Sequence, residues 1–368
     1  MQDGIYQVTT SYLCAGFTIK NGQCIECAPI LRKKFNYWAT IAVKVGELPK
    51  VIVLLDVSNM LHRVLKIPAF FELQYNNIPT GGVFGMAKTL QTVFNSLPSA
   101  DKVIAIQDSR HSARRAKIYP EYKQNRKPKT DTDRLVQENY FRKYNHQLQI
   151  IVNELFPSLG ILPLQIDGKE ADDLIYKVSS LCQNHEVVIL SEDRDLLQLI
   201  NVFPKLKVFR PIANEVITVE NFKQTQGVDP KAFLLYKAIL GDKSDGITNI
   251  SGVGDTTALS LINSIDLNDQ INSLMVKTKE ASELKPTSRE AKVYKGWDII
   301  ARNLELIDLS REEFTNAEVM DICTKITGFK RSINKDQFIN TCKNLGMVSV
   351  LRDVDFFLLP FQKGLLIP

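Results

Sequence analysis

The chain has 368 residues, 44% of them hydrophobic and 24% charged, which excludes wholesale disorder and allows two or more domains at ~150 residues each. Its longest apolar runs, such as Val51 to Leu55 and Phe356 to Phe361, fall far below the ~18 residues of a membrane span. The start lacks a signal-like pattern, and six cysteines in so long a chain point to a reducing compartment. The net charge of +5 is mild, so an anionic partner must be argued from where charges sit.

Residues 1–48 read as a small appended module, rich in Thr, Gly, Cys and aromatics, with Asp3 and Glu26 as the only acids before Glu47. Thr18 to Gln23 has the pattern strand, Asn-Gly turn, strand. Cys14, Cys24 and Cys27 lack a fourth tetrahedral ligand before His62, so free cysteines are expected rather than zinc. Beyond a junction at Gly46 to Lys50, the continuous apolar runs Val51–Leu55, Lys102–Ile106 and Glu186–Leu190 predict strands buried on both faces, with Leu206–Phe209 as a fourth. Between them, Leu135, Phe141, Tyr144, Leu148, Ile151 and Leu155 predict one helix. A second spans Lys169 to Cys182, with Ala171, Leu174, Ile175, Val178 and Leu181 inward. Buried strands alternating with helices imply α/β architecture with a mainly parallel central sheet flanked by helices. After residue 230 the pattern is helical with glycine turns. Cys182, Cys323 and Cys342 fall within apolar periodicity, as core residues do, and Phe338 to Leu351 reads as a closing helix and turn.

The acidic residues are placed by the strands. Asp56 ends the first strand, Asp108 lies two residues past the second, and Asp193 and Asp195 follow the third. Ligands of open α/β sheets bind at these C-terminal strand ends. Carboxylates converging there repel unless cations neutralise them, and hard ions such as Mg²⁺ or Mn²⁺ suit oxygen ligands. Glu170, Asp172 and Asp173 occupy a first helical turn, while Asp242 and Asp245 flank a glycine turn. Singly, each group has a bland reading, as dipole-complementing acids or turn residues; the joint arrangement argues for metal. His62, His111, His146 and His185 form no ligand pattern, which disfavours zinc.

Eight basic residues lie between positions 110 and 129, opposed only by Glu121. They are Arg110, Arg114, Arg115, Lys117, Lys123, Arg126, Lys127 and Lys129, with Tyr119 and Tyr122 interleaved, a mixture suited to phosphate contact and base stacking. The alternative is a solvated basic loop. Farther on, Gly252 and Gly254 precede an apolar-periodic helix from Asp255 to Ile262, a start at which free N–H groups can meet phosphate.

Asp56, Asp108, Glu170-Ala-Asp-Asp173, Asp193-Arg-Asp195 and Gly241-Asp-x-x-Asp245 resemble, in order, the acidic set of the 5′-nuclease superfamily, over roughly residues 51 to 355. That superfamily includes bacteriophage 5′→3′ exonucleases, flap endonucleases and the 5′-nuclease domain of bacterial DNA polymerase I. The resemblance implies a PIN-like catalytic domain over 49–235 and a helical helix-hairpin-helix region over 236–368. It implies two divalent ions. Asp56, Asp108, Glu170, Asp172 and Asp173 would line the first site, and Asp193, Asp195, Asp242 and Asp245 would line or support the second. Tyr119 to Arg126 is similar to an arch segment, about 110–130, in which Lys123 and Arg126 steer the scissile phosphate; Arg63 matches a basic position of phage members. Arg110, Arg114, Arg115, Lys117, Tyr119, Tyr122 and Lys127 would contact DNA, as would Gly252 and Gly254 in a hairpin that often holds K⁺. The chain departs from the family pattern at Val57, Gly246 and Asp255 to Thr257, without losing a carboxylate.

The implied function is a monomeric 5′→3′ exonuclease and flap endonuclease acting on flaps, nicks and RNA-primed ends. Its expected place is the cytoplasm, at the nucleoid, or the host cytoplasm if phage-encoded. The alternatives are a PIN-like ribonuclease, which would lack the hairpin and arch, and an inactive junction-DNA-binding protein, which would have no use for the repelling carboxylates.

Overall fold

A computed structural model of the chain describes residues 51–97, 99–109 and 112–362, together with the backbone of 19–20 and 23–24. The chain divides into two units, Met1–Leu48 and Pro49–Pro368. In the first, Ile19–Lys20 pairs antiparallel with Gln23–Cys24; the residues between them lie outside those described. Cys14 and Cys27 lie outside the described residues, as do the side chain of Cys24 and the question of a zinc site.

The second unit is built on six strands: β1 (Val51–Asp56), β2 (Lys102–Ile106), β3 (Leu162–Leu164), β4 (Glu186–Leu190), β5 (Leu206–Arg210) and β6 (Glu215–Ile217). Their order is β6-β5-β4-β1-β2-β3. All neighbours run parallel except β6, which closes one edge antiparallel to β5. The period of two sorts β1 between both faces: Ile52 and Leu54 join one apolar cluster, Val53 and Leu55 the other. Four strands lie where the apolar runs predict them. The edge strands β3 and β6 carry no such run.

The helices that position the site are α1 (Val57–Leu65), α2 (Gly81–Ser96), α3 (Ala113–Ile118), α4 (Asp131–Ile150), α5 (Ala171–Leu181), α6 (Phe233–Leu240), α7 (Asp255–Ile262), α8 (Gln270–Leu284), α9 (Arg289–Lys295) and α10 (Trp297–Ile307). One face of the sheet packs on α5 and the helices past Phe233, with Ala258, Leu274 and Ile300 in the same cluster. The other packs on α1, α2, the end of α4 and the closing segment with Phe338 and Phe361. Apolar periodicity overstates burial in two helices: Leu135 and Phe141 on α4 are exposed, and Leu181 ends α5 in solvent. Cys182 and Cys342 are core residues, whereas Cys323 is half-buried. Among the described residues no helix is long and apolar enough to cross a membrane.

Candidate active site

The carboxylates stand at the C-terminal ends of β1, β2 and β4, and each is held by a local device. Asp56 caps α1: one oxygen accepts the Asn59 N–H at 3.1 Å and the other the Ser191 hydroxyl at 2.7 Å. Asp108 accepts the Ala171 N–H at 2.8 Å, tying the end of β2 to the start of α5. Asp193 accepts the Asp195 N–H at 2.9 Å, and its own N–H donates to Ser191 at 2.9 Å. Ser191 thus links two acidic strand ends. Gly241 precedes Asp242 with φ +65°, and a Cβ there would meet the Ile247 carbonyl oxygen at 2.5 Å, so only glycine lets the chain turn into the Asp242–Ile247 bridge.

Charge divides the nine acids. Asp56, Asp108 and Asp172 have no ammonium or guanidinium ion-paired to them among the described residues. Burial, then Asp108 and Asp193, pushes Asp56 up to about 7. Burial, then Asp193, Asp56 and Asp108, raises Asp172 well above the usual carboxylate range. Asp193 is raised as well, by burial and by Asp245 and Asp242.

Each of the other acids is ion-paired to a side-chain cation. Arg115 reaches Asp173 with two nitrogens at 2.7 and 2.6 Å and Glu170 at 2.8 Å. Glu170 also accepts the Tyr122 hydroxyl at 3.0 Å and the Lys123 ammonium at 2.7 Å. Asp245 takes Tyr122 at 3.1 Å, Lys123 at 3.9 Å and a close bond from Arg126. Lys237 lies 2.7 Å from Asp195 and 3.3 Å from Asp242. Among the described residues no three metal-ligating side chains are gathered as a formed metal site, and side-chain cations occupy the second group. The donor chemistry nonetheless fits hard divalent ions, because Asp56, Asp108 and Asp172 are oxygen donors to which no side-chain cation is ion-paired among the described residues.

The basic segment therefore does more than face solvent. Arg115 and Tyr122 are buried, 3% and 6% exposed, so the expectation that both contact DNA does not match where they sit. Burial pulls the Arg115 guanidinium down, but Asp173 and Glu170 outweigh it and keep it charged. Arg114 binds Glu312 at 3.2 Å and the Glu305 carbonyl at 2.6 Å, and Tyr119 lies under the Arg302 guanidinium at 4.4 Å. Lys117 and Lys127 are exposed, as is Arg126; Arg110 lies outside the described residues. Lys123 has φ +58° and its ammonium sits 4.9 Å over the Tyr122 ring. Arg63 is half-buried on α1, its Nε donating to Asn59 at 3.2 Å. Gly252, at φ +78°, and Gly254 line a cleft of about 370 Å³ with Arg289.

Sequence reasoning missed Ser191, Asn59, Lys237 and Glu312. Ser191 stands inside the acidic motif and so was within reach. Lys237 reaches Asp195, and Glu312 reaches Ser112, Arg114 and Lys169, partners distant in sequence that no local pattern reveals.

A mainly parallel sheet with acids at its C-terminal strand ends and a basic strap bound to them defines an α/β protein with a charged site at the strand ends. Residues 51–227 match the model of the 5′-3′ exonuclease N-terminal resolvase-like domain. The chain is 32% identical to a 5′-3′ exonuclease of Buchnera aphidicola subsp. Schizaphis graminum, over 58% of this chain and 70% of that one. It is 29% identical to a DNA polymerase I of Caldicellulosiruptor bescii, over 82% of this chain and 34% of that one. Among solved structures it resembles the T5 5′-exonuclease with divalent zinc bound: TM-score 0.56, 19% identity, covering 81% of this chain and 99% of that one. The chain belongs to the 5′-3′ exonuclease family. It spans about two thirds of the stand-alone exonucleases it matches and about a third of the polymerase.

Proposed function

We propose that this chain is a metal-dependent, structure-specific 5′ nuclease, cleaving DNA as a 5′→3′ exonuclease and flap endonuclease. The observation that carries the reading is the acidic set Asp56, Asp108 and Asp172, which has no ion-paired cation among the described residues, with Asp193 and the Lys123 ammonium acting on Asp172. Asp56, Asp108 and Asp172, with Asp193 between the groups, would hold one Mg²⁺ or Mn²⁺ ion; Asp193, Asp195, Asp242 and Asp245 would hold or support a second. Glu170 and Asp173, already bound to Arg115, would orient the first group from behind. Bound ions of this kind supply a hydroxide nucleophile and neutralise charge on a breaking phosphodiester.

The chain's own residues do the rest. Lys123, tethered to Glu170, presents a positive charge where a phosphate would approach, and Arg126 adds a second from the exposed side. Lys117 and Lys127 offer phosphate contacts on the strap, and Gly252 and Gly254 offer backbone N–H groups, where K⁺ would also fit, to duplex beyond the junction. The substrate is then DNA with a 5′ single-strand/duplex junction, including nicks and RNA-primed ends, met by a monomer in the cytoplasm. The test is cleavage of labelled 5′-flap, nicked and single-stranded DNA, and of RNA, with and without Mg²⁺. Junction-independent cutting of RNA alone would favour a ribonuclease and sink this reading.

A further inference from the structure

The two acidic groups differ in one respect that bears on how they would fill. Lys237 projects from α6, 13% exposed, with its ammonium between Asp195 and Asp242. Asp195 comes from the turn after β4 and Asp242 from the Gly241 turn, so one side chain bridges two segments far apart in sequence. No ion pair of this kind reaches Asp56, Asp108 or Asp172 among the described residues.

We propose that Lys237 is the built-in counter-cation of the second acidic group, and that a divalent ion enters there only by displacing its ammonium. The inference rests on the metal-dependent reading above. An ion arriving at Asp56, Asp108 and Asp172 displaces no ion-paired side chain among the described residues. One arriving at Asp195 and Asp242 must first break contacts of 2.7 and 3.3 Å in a partly buried setting, where a charge pair is screened much less than in water. The two positions therefore fill in order, the Asp56 group first. Lys237 also keeps Asp195 and Asp242 together before the ion arrives.

The experiment is a Mn²⁺ titration of the full chain, with free Mn²⁺ read by electron paramagnetic resonance. Wild type is expected to bind in two separated steps. Lys237→Met, which keeps length and removes charge, should tighten the second step by roughly tenfold or more and leave the first unchanged. A second step that is unchanged or weaker in Lys237→Met overturns the proposal alone. A wild type that takes up no Mn²⁺, indistinguishable from Asp172→Asn, brings down the metal-dependent reading and the proposal with it. Wild-type protein gives an independent readout should Lys237→Met not fold. Saturating Mn²⁺ should make Lys237 markedly more reactive to an amine-directed reagent, followed by peptide mass mapping, and equal protection with and without Mn²⁺ overturns the displacement.

Discussion

Arg115 grips Asp173 with two nitrogens, at 2.7 and 2.6 Å, and neither side chain is more than 3% exposed. Burial raises the carboxyls of both neighbouring aspartates on this helical turn, but Arg115 opposes the rise at Asp173, whereas Asp193, Asp56 and Asp108 add to it at Asp172. Asp173 is the anion of a buried pair, whereas Asp172 is an anion among anions. Removing one partner of a buried pair strands the other charge and costs about 3–5 kcal/mol. Asp173→Asn and Arg115→Ala should each lower stability on that order, measured by urea unfolding in EDTA. A loss below about 1 kcal/mol in both would show that the pair is solvated and that Arg115 is free to serve DNA instead.

Asp172→Asn should do the reverse. Its carboxyl is raised, so its ionised form is disfavoured in the folded state. The penalty is absent below the unfolded value near 3.9, grows as pH rises from about 4, and is complete above the folded value. Asp56, raised to about 7, adds the same dependence between about 4 and 7. Metal-free wild type should therefore lose stability on going from pH 4.5 to 8. Asp172→Asn should be the more stable protein at pH 8, each pKa unit being worth about 1.4 kcal/mol, and the gap should close at pH 4.5. Thermal melts in EDTA at the two pH values check this. Cleavage should be abolished by the same substitution, and an Asp172→Asn protein that melts lower at pH 8 would contradict the uncompensated set.

Four of the six strands were legible because a buried parallel strand must be apolar on both faces, as Val51–Leu55 and Glu186–Leu190 are. Leu162-Pro-Leu164 and Glu215-Val-Ile217 are short edge strands, paired on one side, and their residues carry no comparable run. The acids were legible as a set because strand ends fix their positions. Their partition was not. Which acids meet a cation depends on Arg115 and Lys237 crossing from other elements, and charge counting treats a solvated arginine and a buried one alike.

Lys123 separates chemistry from grip. Its ammonium is held 2.7 Å from Glu170, which keeps Arg115 and Tyr122 as partners if the lysine is removed. Lys123→Ala should therefore leave the fold intact and lower the single-turnover cleavage rate by about 10²-fold, the size associated with losing one charge-stabilising donor. Lys117→Ala with Lys127→Ala, on the exposed strap, should instead weaken binding and flatten its salt dependence, by about one log unit of slope for each phosphate no longer neutralised. A Lys123→Ala enzyme with normal single-turnover rate and reduced affinity would move Lys123 into the second class.

The first 48 residues should be separable from the nuclease. The chain divides between Leu48 and Pro49, and β1 begins only at Val51, whose N–H is already satisfied by the Asp101 carboxylate at 2.7 Å within the second unit. Starting the chain at Gly46 keeps that strand and its lead into Asp56. Such a protein should express in soluble form, melt within a few degrees of the full chain, and cut 5′-flaps in Mg²⁺ at a comparable rate. Full-length protein should hold no stoichiometric zinc, since three thiolates at Cys14, Cys24 and Cys27 leave a tetrahedral site one ligand short. Inactive or insoluble truncated protein, or one zinc per full-length chain by metal analysis, would make residues 1–48 part of the enzyme itself.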